Sequence, residues 1–164
     1  MLSGYGLLEL TGHRADEHKN ITSSDLENRS EQLYSDLEQT VLGIIMSGKR
    51  VVIISDNPEL LDDPKICRYS THKAEECDVK VERSIVNERL KVINSIYDRL
   101  KSKITDMTIL NPASAFCDSK YCYASGNGSI WYQSTDHLTP SGARRLFNYI
   151  KLDNVQQMAK REIH

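Results

Sequence analysis

The chain of 164 residues is 39% hydrophobic with a formal net charge of −2, which supplies one core and a single domain over 1–164 rather than two. Lys and Arg are spread along it, so there is no basic footprint for nucleic acid, and no apolar run approaches the roughly 18 residues of a membrane span. The N-terminus lacks the positive start and long apolar core of a signal peptide.

Residues 2–10 form a short apolar run broken by Gly4 and Gly6, readable as a strand end or loop. Residues 11–28 are polar and read as a solvated loop, with His13 and His18 as surface side chains rather than metal ligands. From Arg29 to about Ser47 the spacing predicts a helix, with Leu33, Leu37, Val41, Ile44 and Ile45 on one face and Gly48 as its closing residue. Val51-Val52-Ile53-Ile54 is an unbroken β-branched run, the pattern of a strand covered on both faces in a parallel sheet.

Asn57-Pro58 and Asp63-Pro64 then break the chain into a long loop carrying Cys67 and Cys77. A second helix is predicted over Val81–Lys103, its buried side marked by Ile85, Leu90, Ile93, Tyr97, Leu100 and, just beyond it, Ile104. Met107–Leu110 reads as the next strand, ending at Asn111-Pro112. A loop with Cys117 and Cys122 follows, then a Gly126-Asn127-Gly128 turn, a strand over Ile130–Tyr132 and a final helix. The tail 151–164 is charged and reads as a terminal helix or a frayed end. Helices alternating with buried strands predict a layered α/β fold with a mainly parallel sheet, whose sites form at the carboxyl ends of strands.

The four cysteines form two local pairs, Cys67 with Cys77 and Cys117 with Cys122. Two small disulfides in an oxidising compartment and free thiols in a reducing one both fit that pattern. Neither spacing matches a structural zinc site, and the sequence predicts no metal and no cofactor.

The densest signal is Asp136-His137-Leu138-Thr139-Pro140-Ser141-Gly142-Ala143. Thr139 suits an N-cap and Pro140 the first helical position, so His137 sits on a short turn before a helix. Histidine is the side chain whose unperturbed pKa lies nearest neutrality, so it can take and return a proton. Trp131 and Tyr132, with Tyr121 and Tyr123 nearby, supply rings that stack on sugars or fill a core. Ser55, at the end of the Val51–Ile54 strand, is placed like a nucleophile but lacks the glycine-flanked sharp turn.

Several of these features occur in a recognisable order. They are Gly48-Lys49-Arg50 before Val51–Ile54, then Pro58-Glu59, and Asp63-Pro64-Lys65-Ile66-Cys67 with Cys77 and Arg83. Asn111-Pro112 follows, then Phe116-Cys117-Asp118 with Cys122, and finally His137-Leu138-Thr139-x-x-Gly142-Ala143. In this order, over roughly residues 30–150, the chain resembles an SGNH-type hydrolase domain of the kind fused behind the membrane domain of acyltransferase-3 family proteins, which O-acylate surface polysaccharides.

The resemblance implies a layered α/β/α, flavodoxin-like SGNH fold and a Ser-His-Asp triad with His137 as base and Asp136 as the candidate acid. It also implies that both cysteine pairs are disulfides and that the domain is periplasmic and membrane-tethered. The implied function is O-acyl, chiefly acetyl, transfer to or hydrolysis from lipopolysaccharide or another cell-surface polysaccharide. The implied partners are a polysaccharide acceptor and an acyl donor reached through a membrane acyltransferase domain.

Two positions depart from the family pattern. Ser134 stands where the family has its aspartate, three residues before the histidine. Asp136 is adjacent to His137, and neighbours in extended chain point to opposite faces, so Asp136 orients the imidazole only if the loop bends sharply. No Gly-Asp-Ser nucleophile block occurs, and Met1 is expected to begin partway through the fold, leaving it N-terminally truncated. The alternatives are a catalytically inactive glycan- or partner-binding module and a non-functional fragment.

Overall fold

A computed structural model describes residues 22–65, 67 and 77–161, with side chains as far as Lys151. The 2–10 run, His13 and His18 lie outside the described residues. The described residues divide into two compact units: one takes those up to Asp56 with Ser84–Asn111, the other Asn57–Arg83 with Pro112 onward.

In the first unit, helix α1 spans Ser23–Met46, starting six residues before the expected Arg29. The early start comes from local chemistry rather than apolar spacing. Thr22 Oγ1 accepts from the Asp25 amide at 3.2 Å, and Asp25 places its charge in the first turn, where the helix dipole favours it. The six residues 23–28 therefore belong to the helix and not to the loop expected over 11–28. At the other end Gly48 takes φ 77°, its amide donating to Ile45 O at 2.8 Å and the Lys49 amide to Ile44 O at 3.4 Å. This is a Schellman closure, which a left-handed glycine makes accessible.

Strand β1, Val51–Ile54, pairs in parallel with a strand over Met107–Leu110, in the register Val51 to Met107 through Ile54 to Leu110. A helix, Arg83–Lys103, precedes that second strand and buries Val86, Leu90, Ile93, Ile96, Tyr97 and Leu100. Ile85, expected on its buried side, is 42% exposed, because the stripe running 86-90-93-97-100 leaves position 85 off the face. Burial pushes the Tyr97 hydroxyl up to about 12. Tyr34 of α1 carries the Arg99 guanidinium 3.7 Å from its ring centroid, and Glu31 pairs with Arg99 at 2.6 Å.

In the second unit, Lys80–Glu82 forms β2, so Val81 lies inside a strand rather than at the start of the helix expected there. It pairs antiparallel with β4, Tyr121–Tyr123, and Val81 faces Cys122. With β3 as Met107–Leu110 and α2 as Arg83–Lys103, the remaining elements are α3 (Ala113–Phe116), β5 (Ser125–Gly126), β6 (Ser129–Ile130) and α4 (Pro140–Arg161). The β5–β6 hairpin turns through Asn127 and Gly128 at φ 52° and 70°, the double positive φ of a type I′ turn. The strand expected over Ile130–Tyr132 stops at Ile130, because the Trp131 and Tyr132 amides both turn to Ala124 O. Tyr132 makes only an isolated bridge to Leu138.

A mainly parallel sheet was expected. Among the described residues there are one parallel pair and two antiparallel pairs, within an α/β chain of mixed helices and small sheets. Both disulfides, Cys67–Cys77 and Cys117–Cys122, are formed, and both lie in the second unit. The turn inside the second bond is capped by Asp118. Its carboxylate accepts from the Tyr123 hydroxyl at 2.6 Å and from the Lys120 and Tyr121 amides at 2.7 Å each. Those donors, the Tyr123 hydroxyl foremost, hold the carboxyl down at about 2.

Candidate active site

The site grows out of the loop between β6 and α4. The Thr139 amide donates to Trp131 O at 2.8 Å and the Gln133 amide to His137 O at 2.6 Å, which folds the intervening residues into a tight reversal. Two further bonds pin this loop to the segment after Asn57. The Leu60 amide donates to Thr135 O at 2.8 Å, and Asn57 Nδ2 to Asp136 O at 3.1 Å.

The reversal supplies the bend that an Asp-His neighbour pair requires. Asp136 Oδ1 lies 2.8 Å from His137 Nδ1. Ser134 reinforces the pair: its Oγ donates to the same Asp136 Oδ1 at 2.8 Å and accepts from the His137 amide at 3.2 Å. Ser134 Oγ also sits 3.1 Å from Nδ1. An ionised carboxylate only accepts, so its contact assigns the ring proton to Nδ1 and leaves the lone pair on Nε2. The Asp136 side chain is 12% exposed and the His137 side chain 52%. Such an arrangement can hold an imidazole in one tautomer against a largely buried carboxylate.

The residues after His137 fix where the pair sits. Thr139 Oγ1 donates to Ile130 O at 2.7 Å and accepts from the Gly142 amide at 3.1 Å, the expected N-cap of α4. Gly142 has its own steric reason: a Cβ there would lie 2.0 Å from Trp131 O. The helix start can dock on the Trp131 carbonyl only without a side chain at 142. In the sequence Ser134 stands out only as a departure from the family spacing and Gly142 only as part of the end block. The signal for the first was its spacing of three before the histidine.

The two rings expected to touch sugar have different fates. Tyr132 is a core residue, fully buried, with its hydroxyl donating to Pro58 O at 2.8 Å and its pKa raised by burial. Its ring packs edge-on against Phe116 at 5.3 Å, so it offers no face to a ligand. Trp131 is 7% exposed and lines a cleft of about 450 Å³ in the same unit. Its indole lies against Gly126 on one side, and the Arg145 guanidinium sits 4.0 Å from its ring. Tyr121 and Tyr123 pair separately with each other, at 6.3 Å.

Ser55, in the first unit, is 5% exposed, and its Oγ has no hydrogen-bond partner in the described structure. Among the described residues no group of three or more His, Cys, Asp or Glu side chains is placed to hold a metal. No described helix is long and apolar enough to cross a membrane.

A family model described as an SGNH domain (fused to AT3 domains) matches residues 2–151. No curated protein matches the chain. Among solved structures, the periplasmic domain of a lipopolysaccharide acetyltransferase from Salmonella ser. Paratyphi A superposes with a TM-score of 0.53 at 17% identity. The match covers 77% of this chain and 50% of that one, so the chain spans about half the length of the solved domain. At that identity the likeness is one of fold.

Proposed function

The chain belongs to the family of SGNH domains fused to AT3 domains, and from that premise we propose that it serves O-acyl transfer to, or deacylation of, a cell-surface polysaccharide. The observation that carries the proposal is the 2.8 Å contact between Asp136 and His137 Nδ1. His137 is the general base: Nε2 takes the proton of an attacking hydroxyl as its oxygen bonds to the ester carbonyl carbon. When the tetrahedral adduct collapses, Nε2 returns that proton to the departing alkoxide. Asp136 holds the tautomer and offsets the imidazolium charge that forms in between. Ser134 keeps the carboxylate in place.

The hydroxyl served is a serine, a sugar hydroxyl or a water, and the acyl group is acetyl. The Val51–Ile54 and Met107–Leu110 pair belongs, in this reading, to a layered flavodoxin-like α/β/α sheet. The setting is periplasmic, with a membrane acyltransferase domain delivering the acyl donor. Two disulfides support an oxidising compartment, and the solved domain of similar fold is periplasmic by its own description.

The test is hydrolysis of an aryl acetate and of an O-acetylated oligosaccharide by the whole chain. His137→Ala is expected to lower the rate by roughly 10²–10⁴-fold, the usual weight of general-base catalysis, with Asp136→Asn intermediate. The folding midpoint should be unmoved, since the His137 side chain is 52% exposed. Equal rates for His137→Ala and the parent would remove the catalytic reading. The second reading, a glycan-binding module without turnover, is favoured by the lack of any Gly-Asp-Ser in the chain. It predicts glycan affinity that survives His137→Ala and falls with Trp131→Ala.

A further inference from the structure

The cleft of about 450 Å³ in the second unit falls within the range of small-ligand sites, and His137 is not among its walls. One wall is the β5–β6 hairpin with Asn127, Ser129 and Trp131; the other is α4 with Arg144, Arg145 and Asn148. Among the described residues no aspartate or glutamate lines it.

Arg145 is the informative residue. Its Nε donates to Ala115 O, and its guanidinium plane rests over the Trp131 indole at 4.0 Å, so the head is fixed rather than free to swing. Burial lowers its pKa, with no carboxylate acting in the other direction. No ion pair to Arg145 is formed among the described residues, and its two terminal nitrogens have no protein acceptor there. A half-buried cation without a counter-charge is costly unless something supplies the charge. A guanidinium fork suits a carboxylate or phosphate in a two-bond geometry. Beside it, the exposed Arg144 adds a second positive charge to the same wall. The rest of the lining offers amides, hydroxyls and an indole, the groups that recognise sugar hydroxyls and the apolar face of a pyranose.

We propose that this cleft is a subsite for an acidic saccharide unit, taking its carboxylate or phosphate on Arg144 and Arg145 and its hydroxyls on Asn127, Ser129 and Asn148. It rests on the reading of a polysaccharide as substrate and narrows that substrate to an anionic polymer.

Trp131 is the sole tryptophan of the chain, so its emission reports the cleft directly. The whole chain is titrated with oligogalacturonate, a hexose 6-phosphate, a neutral malto-oligosaccharide and inorganic phosphate. Saturable change with either acidic sugar, weakened by added salt and by roughly tenfold in Arg144→Gln and Arg145→Lys, is the expected result. Which acidic sugar binds more tightly identifies the anion. Asn148→Ala, on an exposed side chain, is expected to weaken binding without touching the fold, which circular dichroism checks. Equal affinity for the neutral oligosaccharide would overturn the charge assignment and leave the glycan reading standing. Equal affinity for inorganic phosphate would reduce the cleft to a simple anion site and overturn the saccharide. Silence from all four ligands would remove the subsite, while His137-dependent ester hydrolysis, read separately, decides the catalytic proposal on its own.

Discussion

A single histidine is a weak indication of chemistry; what changes its weight here is how many neighbours fix it. Ser134 bonds the carboxylate, the carboxylate meets Nδ1, and the Gln133 amide closes the loop on the His137 carbonyl. The block His-Leu-Thr-x-x-Gly thus divides by task. Leu138 bridges Tyr132, Thr139 caps the helix, and Gly142 lets that helix approach the Trp131 carbonyl. Gly142→Ala puts a methyl carbon 2.0 Å from Trp131 O, and the backbone must shift to relieve it. The expected cost is about 1–3 kcal/mol, the usual range for overpacking. Urea unfolding measures it, and the Trp131 emission maximum should move in the native state. An unchanged midpoint would mean that the close approach plays no part in stability.

Among the elements, the turn leading into β4 shows how a short strand is held without a large sheet. Asp118 caps its turn with three accepted bonds, and the Cys117–Cys122 bond closes it covalently. Because the folded carboxyl is held at about 2, below its ordinary 3.8, the stabilising contribution is present above that ordinary value. It is lost as pH falls toward 2. The Lys120 and Tyr121 amide resonances are expected to titrate together with a midpoint near 2, and Asp118→Asn should abolish the transition. A midpoint near 3.8 would show that the cap does not form in solution.

Elements with a strong local pattern were legible in the sequence: Val51–Ile54, the helix Arg83–Lys103 apart from its start, and the Asn127-Gly128 turn. What was not legible depended on partners distant in sequence. Val81 looks helical until Cys122 is placed opposite it, and Tyr132 looks like a ligand platform until Pro58 accepts its hydroxyl bond. The start of α1 was hidden for a different reason, since Thr22 and Asp25 act through capping rather than periodicity.

Taken as a whole, the molecule distributes its covalent reinforcement unevenly. Both disulfides fall in the unit that carries His137 and the cleft, and neither in the unit with the parallel strands. Loops of 10 and 5 residues each contribute about 2–3 kcal/mol by restricting the unfolded chain. Reduction is therefore expected to raise hydrogen exchange in β2, β4 and the 133–137 loop. The Val51–Ile54 and Met107–Leu110 ladder should keep its protection. Uniform loss across both regions would show that the two units unfold as one.

The order of those pairings has a further consequence for biogenesis. Four cysteines can be joined in three ways, and here the first meets the second and the third meets the fourth. A chain threaded N-terminus first into an oxidant-rich space presents Cys67 and Cys77 together, long before Cys117 arrives. Each ring can close behind the advancing chain with no wrong bond to undo. If the domain is exported as proposed, its native pairs need an electron acceptor and no reshuffling.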